Sequence, residues 1–284
     1  MNEEEKIMET DQPVPHENSE KKRQLRNIGI ICGVIALLLL LIFLLPKCSR
    51  NFTFVKRQTT NANGYTSPID WESLWKKNKD IYAWIEIPVS DEDVKAGNVI
   101  TTVDSVTGEG QAFISLPVVQ NANDDTIYMD RNPYGEYDGY GALFTEHVYN
   151  SDDFTDVMTM IYGHRNEYNF GNLQAQYSTA DGFAACSTIM IYLPDREIPF
   201  KVWAAVPYSS DHILYYTDFT NDGYYAGFVR NVKAITSLSA KFDDEVIFET
   251  GDQLIGLSTC LMGNRKNRYI VFGVYHIEET NPES

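Results

Sequence analysis

Between Tyr82 and Ile277 the chain breaks into eight short runs rich in β-branched and aromatic residues, each bounded by turn formers. They are "YAWIEIP", "AFISLPVVQ", "GALFTE", "VMTMIYG", "STIMIYL", "PFKVWAAVPY", "QLIGLST" and "RYIVFGVYHI". Segments of this length and make-up read as strands, and eight of them over about 190 residues predict a closed or sandwiched β-domain. Two helices are expected around them. "SPIDWESLWKKNKD" offers Ser67 as cap with Pro68 at the first helical position, and a later segment at Tyr224–Ser237 spaces Phe228, Val232 and Ile235 as a buried helical face. The Gly/Asp/Thr-rich insert from Val89 to Gly110 reads as a surface hairpin or loop.

Ahead of this domain, Ile28–Leu45 is an 18-residue stretch without a charge. At 1.5 Å per residue a helix there spans roughly 27 Å, close to the hydrocarbon thickness of a bilayer. "KKRQLR" precedes it, so the positive-inside rule puts residues 1–27 in the cytoplasm as a polar tail. No small-x-small cleavage site follows, which favours an uncleaved signal anchor over a removed leader. Residues 46–67 then form an extracellular stalk and 68–284 the exported domain. The formal charge is −17, and beyond residue 26 there are 33 acids against 18 bases. Such a surface repels phosphate backbones and excludes nucleic acid as a partner.

The cysteines narrow the chemistry. Cys32 lies in the expected span, Cys48 abuts it, and Cys186 sits in the apolar "GFAACSTIMIYL", where an inert buried thiol is the ordinary reading. Cys260 alone has polar company, with Arg265 and Arg268 following within eight residues. A nucleophilic cysteine needs a cation or imidazole to favour the thiolate. His16 is in the tail, His276 is near the end of the last strand, and His212 lies in a loop without distinguishing neighbours. His164 and its competitor His147 both stand at strand exits, where scaffolds present catalytic groups. Arg268 directly precedes "YIVFGVY", which favours it over Arg265 as a cation held by sheet pairing. No phosphate loop, HExxH or paired-cysteine zinc spacing is present, "GLSTC" is not a nucleophile elbow, and no cofactor or metal is expected.

Taken in order, these segments resemble a class B sortase. "IYGHRNEYNFGNL" matches the family's histidine motif, "LSTC" at 257–260 its cysteine motif, and Arg268 the arginine that opens its last strand. "DIYAWIEIP", "LPVVQ", "YM" and "GALF" fall in the family's order upstream. The histidine precedes the cysteine, the reverse of papain-like and NlpC-type peptidases. The resemblance implies a mainly β, eight-stranded barrel with an N-terminal helix and a helix between late strands. It implies a membrane-anchored transpeptidase that takes LPxTG- or NPxTN-like sorting signals of exported proteins and passes them to a peptidoglycan precursor amine. Cys260 would be nucleophile, His164 acid and base, Arg268 the oxyanion partner, with Ser258 and Thr259 binding substrate. A peptidase that only hydrolyses, or a binding protein without chemistry, are the alternatives. The insert at 89–110, Arg165 in place of a common asparagine, and Glu146 near a usual aspartate depart from the family pattern.

Overall fold

The computed structural model describes residues 24–35, 59–60, 63–100, 106–107, 110–249 and 251–277. The chain divides into two units, residues 1–50 and 51–284. In the first, residues 24–35 form helix α1, exposed along its length. No helix among the described residues is long and apolar enough to cross a membrane. The expected span at 28–45 runs beyond residue 35, so most of it, like the tail 1–23 and most of the stalk, lies outside the described residues.

In the second unit, β1 (Thr59–Thr60) and β2 (Thr66–Ser67) form a two-stranded ribbon that leads into helix α2 (Trp71–Lys77). Its cap is Asp70 rather than Ser67: the carboxylate accepts from the Ser73 N–H at 3.1 Å. Ser67 Oγ is occupied by the Ile69 N–H and the Trp71 indole N–H, so it is not free to cap.

The strands that follow are β3 (Ile81–Val89), β4 (Val106–Thr107), β5 (Gly110–Val119), β6 (Leu143–Phe144), β7 (Met158–Tyr162) and β8 (Thr188–Tyr192). They are completed by β9 (Glu197–Tyr208), β10 (Lys241–Phe242), β11 (Gln253–Leu261) and β12 (Asn264–Tyr275). Eight of them close in the order β3-β5-β6-β7-β11-β12-β9-β8, because β8 pairs with both β9 and β3. These are the eight runs read from the sequence, and closure leaves the ring without a free edge. Two-residue β4 and β10 pair outside it, on β5 and β9. The insert at 89–110 holds the end of β3, a short helix α3 (Asp91–Ala96) capped by Ser90, and the β4–β5 hairpin.

Strand alternation sorts the side chains into an inner and an outer layer. On β11, Ile255 and Leu257 join Ile161, Tyr269 and Val271 inside the barrel. Leu254 instead joins Met158, Met160, Ile270 and Phe272 in an outer layer. Helices α4 (Leu173–Tyr177) and α5 (Ala180–Ala185) follow β7, α6 (Ile213–Tyr216) follows β9, and α7 (Asp222–Lys233) covers the outer layer. α7 starts where Asn221 accepts from the Gly223 and Tyr224 N–H groups and ends at Lys233, four residues short of the expected Ser237. Its buried Phe228, Val229 and Val232 each contribute roughly 1.5–3 kcal/mol by leaving water.

Candidate active site

Three neighbouring strands end at one rim of the barrel. β7 runs parallel to β11 with Ser258 opposite Tyr162, and the Gly163 N–H donates to the Ser258 carbonyl at 3.0 Å. β7 ends there, and His164 follows two residues after Tyr162 as Cys260 follows two residues after Ser258. On the other side β12 is antiparallel to β11, with Arg268 directly opposite Cys260. Parity then assigns faces. Leu257 belongs to the inner layer and Ile270 to the outer one, so Cys260 and Arg268 take the outer face. Of the residues named from the sequence, the cysteine and arginine are thus direct cross-strand neighbours, and the histidine follows the end of the strand on the other side of β11.

One element differs from the sequence expectation. Residues 261–268 are not a gap between strands: β12 begins at Asn264, and Leu261 pairs with Asn264 around a tight turn. The register shifts between Cys260 and Leu261, leaving Arg265 to Asn267 as an irregularity on the β12 side. Their polar side chains hid the strand, because an exposed hairpin tip lacks the apolar alternation that marks a strand. Arg265 lies exposed at this tip. Arg268 is half-buried, and its Nη1 donates to the Arg265 carbonyl at 3.3 Å and the Asn267 carbonyl at 3.4 Å.

His164 is cradled by the loop that precedes β6. Its Nε2 lies 2.7 Å from the Met129 carbonyl, so this nitrogen carries the proton and donates. Gly141, at φ +71°, sits against the ring; a Cβ there would lie 2.8 Å from the His164 Cδ2 and 2.7 Å from the Met129 oxygen. With Nε2 engaged, Nδ1 is the nitrogen left for proton exchange. Among the described residues no hydrogen bond joins His164 to Cys260.

Gly163, between the strand and the histidine, sits in a crowded place. A Cβ there would meet Leu143 at 2.5 Å and Phe170 at 2.6 Å, both fully buried. Gly163→Ala is expected to cost about 1–3 kcal/mol by overpacking, read as a lower urea midpoint with an unchanged slope.

Ser258 and Thr259, expected to bind substrate, are 3% and 2% exposed. Thr259 follows the inner parity, and its hydroxyl has no hydrogen-bond partner among the described residues. Neither hydroxyl is open to a peptide in this structure. The other histidines are elsewhere: His147 is exposed, its backbone N–H bonded to Asp125, and His276 pairs with Asp252 at 2.7 Å. Cys186 is fully buried, and burial pushes its thiol up to about 12, as befits an inert core residue. Cys32 is exposed on α1, and Cys48 is outside the described residues.

Sequence reasoning missed a group beside this rim. His212 Nε2 is 2.6 Å from the Glu146 carboxylate, and the His212 ring packs, tilted, with its centroid 4.5 Å from that of Tyr149 and 6.2 Å from that of Tyr162. Burial first, and then the Glu146 carboxylate, hold the Tyr162 phenol well above the ordinary tyrosine range, while Arg268 opposes the shift. Three elements meet here from positions far apart in sequence, so no local motif could have shown them.

The closed eight-stranded barrel is a fold shared with solved sortase structures. No family model matches the chain, and no curated protein matches it. Solved structures do, class B sortases among them. A sortase B of Clostridium perfringens is similar over 72% of this chain and 99% of its own, at 19% identity and TM-score 0.55. A Streptococcus pyogenes class B sortase involved in pilus biogenesis matches over 73% and 98%, at 20% identity and TM-score 0.54. A Staphylococcus aureus sortase B solved with substrate matches over 72% and 84%, at 21% identity and TM-score 0.55. The chain therefore has the class B sortase fold.

Proposed function

We propose that this protein is a membrane-anchored cysteine transpeptidase of the sortase type, held by residues 28–45 with its barrel outside the cell. The observation that supports the reading is the pairing of β11 with β7 and β12: Arg268 lies opposite Cys260, and β7 ends at Tyr162 beside Ser258, two residues before His164 and Cys260. The Cys260 thiolate attacks the carbonyl carbon of the Thr–Gly bond in an LPxTG-like signal, or Thr–Asn in an NPxTN-like one. The amide nitrogen leaves as an amine after taking a proton from His164, and a thioester remains on Sγ. A peptidoglycan precursor amine then attacks the thioester, giving its proton to His164 as the new amide forms and the thiolate departs. The acyl bond energy is conserved through both steps, so neither nucleotide nor cofactor is required.

Arg268 supplies charge-assisted hydrogen bonds to the oxygen that gains charge in each tetrahedral state. Arg268→Ala is expected to lower acylation about 10²–10³-fold, and Lys to restore little, because an ammonium lacks the fork geometry. Arg265→Ala, at the exposed tip, is expected to act less than about three-fold, as surface charges do. Equal, mild effects of the two changes would remove Arg268 from this role.

The test is to incubate the enzyme with LPxTG- and NPxTN-type peptides and an oligoglycine amine, following adducts by mass spectrometry. A thioester at Cys260 and an amide product growing with amine concentration are expected. Hydrolysis alone at saturating amine would make the protein a peptidase, and binding without any adduct would make it a scaffold.

A further inference from the structure

The carbonyl that receives the His164 proton is itself held from behind. Met129 closes a single 3₁₀ turn, Ile127–Met129, and of residues 121–130 only Tyr128 is buried. Tyr128 belongs to the apolar cluster of Ile69, Trp71, Ile81 and Ala142. Its hydroxyl donates to Asp80 Oδ2 at 2.7 Å and accepts from Asn78 Nδ2 at 2.6 Å. Both partners lie where α2 hands over to β3, and both are braced. Asn121 Nδ2 donates to the same Asp80 oxygen at 2.7 Å, and Asn78 Nδ2 also donates to the Pro133 carbonyl at 2.9 Å. Burial, and then the Asp80 bond, push the Tyr128 phenol well above the ordinary tyrosine range, so it stays a donor at any working pH. The Tyr128 carbonyl accepts the Ala142 N–H at 3.0 Å, which fixes the peptide leading into Met129. A one-turn helix has little stability of its own, so its one buried side chain sets where the Met129 carbonyl points.

We infer that Tyr128 is a strut: through Asp80 and Asn78 it aims the Met129 carbonyl at His164, and so keeps the imidazole proton on Nε2 and the ring in one orientation. A histidine with one nitrogen tied to a fixed acceptor presents the other for proton exchange. Tyr128, Asp80 and Asn78 touch no reacting atom and are positioning residues. The proton transfer they serve rests on the transpeptidase reading above; the chain of bonds from Asp80 to His164 does not.

Tyr128→Phe keeps the ring and removes the hydroxyl, leaving Asp80 with Asn121 and Asn78 with Pro133. Tyr82→Phe is the matched control: it removes another buried hydroxyl of the same domain, one that lies 2.8 Å from Thr145 Oγ1. With the full-length chain and a sorting peptide, Tyr128→Phe is expected to lower kcat about ten-fold or more with KM changed less than about two-fold, while Tyr82→Phe stays within about two-fold in both. Both should lose thermal stability. Nuclear magnetic resonance of isotope-labelled histidine, with the His164 signals assigned by their loss in His164→Gln, reads the tautomer directly. The two ring nitrogens of His164 should keep well-separated shifts in wild type and in Tyr82→Phe, and converge in Tyr128→Phe as the proton spreads over both. Asp80→Asn keeps an oxygen acceptor for the phenol and should retain both the kcat and the separation. Asp80→Ala should repeat Tyr128→Phe, and takes its place if that variant does not fold. Unchanged ring nitrogens in Tyr128→Phe, an equal effect in Tyr82→Phe, or a loss confined to KM would overturn the strut. If the unaltered enzyme forms no thioester with any peptide, the transpeptidase reading fails instead, and the nitrogen shifts alone decide the strut.

Discussion

Cys260→Ala is expected to abolish thioester formation and peptide cleavage, a loss of roughly 10⁴-fold or more, while leaving the barrel folded. Nucleophilic catalysis has no substitute once the sulfur is gone, because every later step runs through the acyl group that it carries. The structural cost should be small. Cys260 is only half-buried, near the end of β11, and its strand pairing with Arg268 is a backbone one. A thermal midpoint within a few degrees of wild type is expected, since removing one half-buried sulfur costs about 1 kcal/mol or less. Retained cleavage in this variant would eliminate the cysteine mechanism outright. Unfolding in place of simple inactivity would mean that the thiol is part of the core.

His164→Gln is the sharper test of the histidine. Glutamine can still donate an N–H to the Met129 carbonyl, so the loop that the imidazole holds at 2.7 Å keeps its anchor. It cannot take up or release a proton. Acid–base work by Nδ1 predicts a fall in acylation of about 10²–10⁴-fold with the melting temperature preserved. If the residue merely secures the 128–141 loop, His164→Gln will keep most of its activity and His164→Ala will not. Peptides with a better leaving amine should recover part of the lost rate in His164→Gln, because they depend less on protonation.

Much of the barrel was legible because its strands are half-buried or wholly buried and so carry strong periodic signals. "VMTMIYG" and "QLIGLST" alternate between an inner and an outer layer that are both apolar, and their ends fall at turns. The start of β12 was not legible. Asn264–Arg268 is exposed or half-buried, and nothing in its composition separates a hairpin tip from a loop. The cap of α2 was misplaced for a related reason: Ser67 and Asp70 are both good caps, and the Trp71 indole, by occupying Ser67, decided between them.

The chain alone determined the strand set, the order of histidine before cysteine, and the residue types able to form and resolve a thioester. Those are properties of local composition and spacing. Pairing across the sheet decided which groups meet. Cys260 lies opposite Arg268 because of an antiparallel hairpin, and the strand that leads to His164 lies beside β11 because of a parallel pairing between segments almost a hundred residues apart. Register and parity together chose the face, which turned Thr259 inward and left Cys260 outward. His212 met Glu146 across 66 residues only when the barrel closed, since a contact between side chains from separate loops leaves no periodic trace in either.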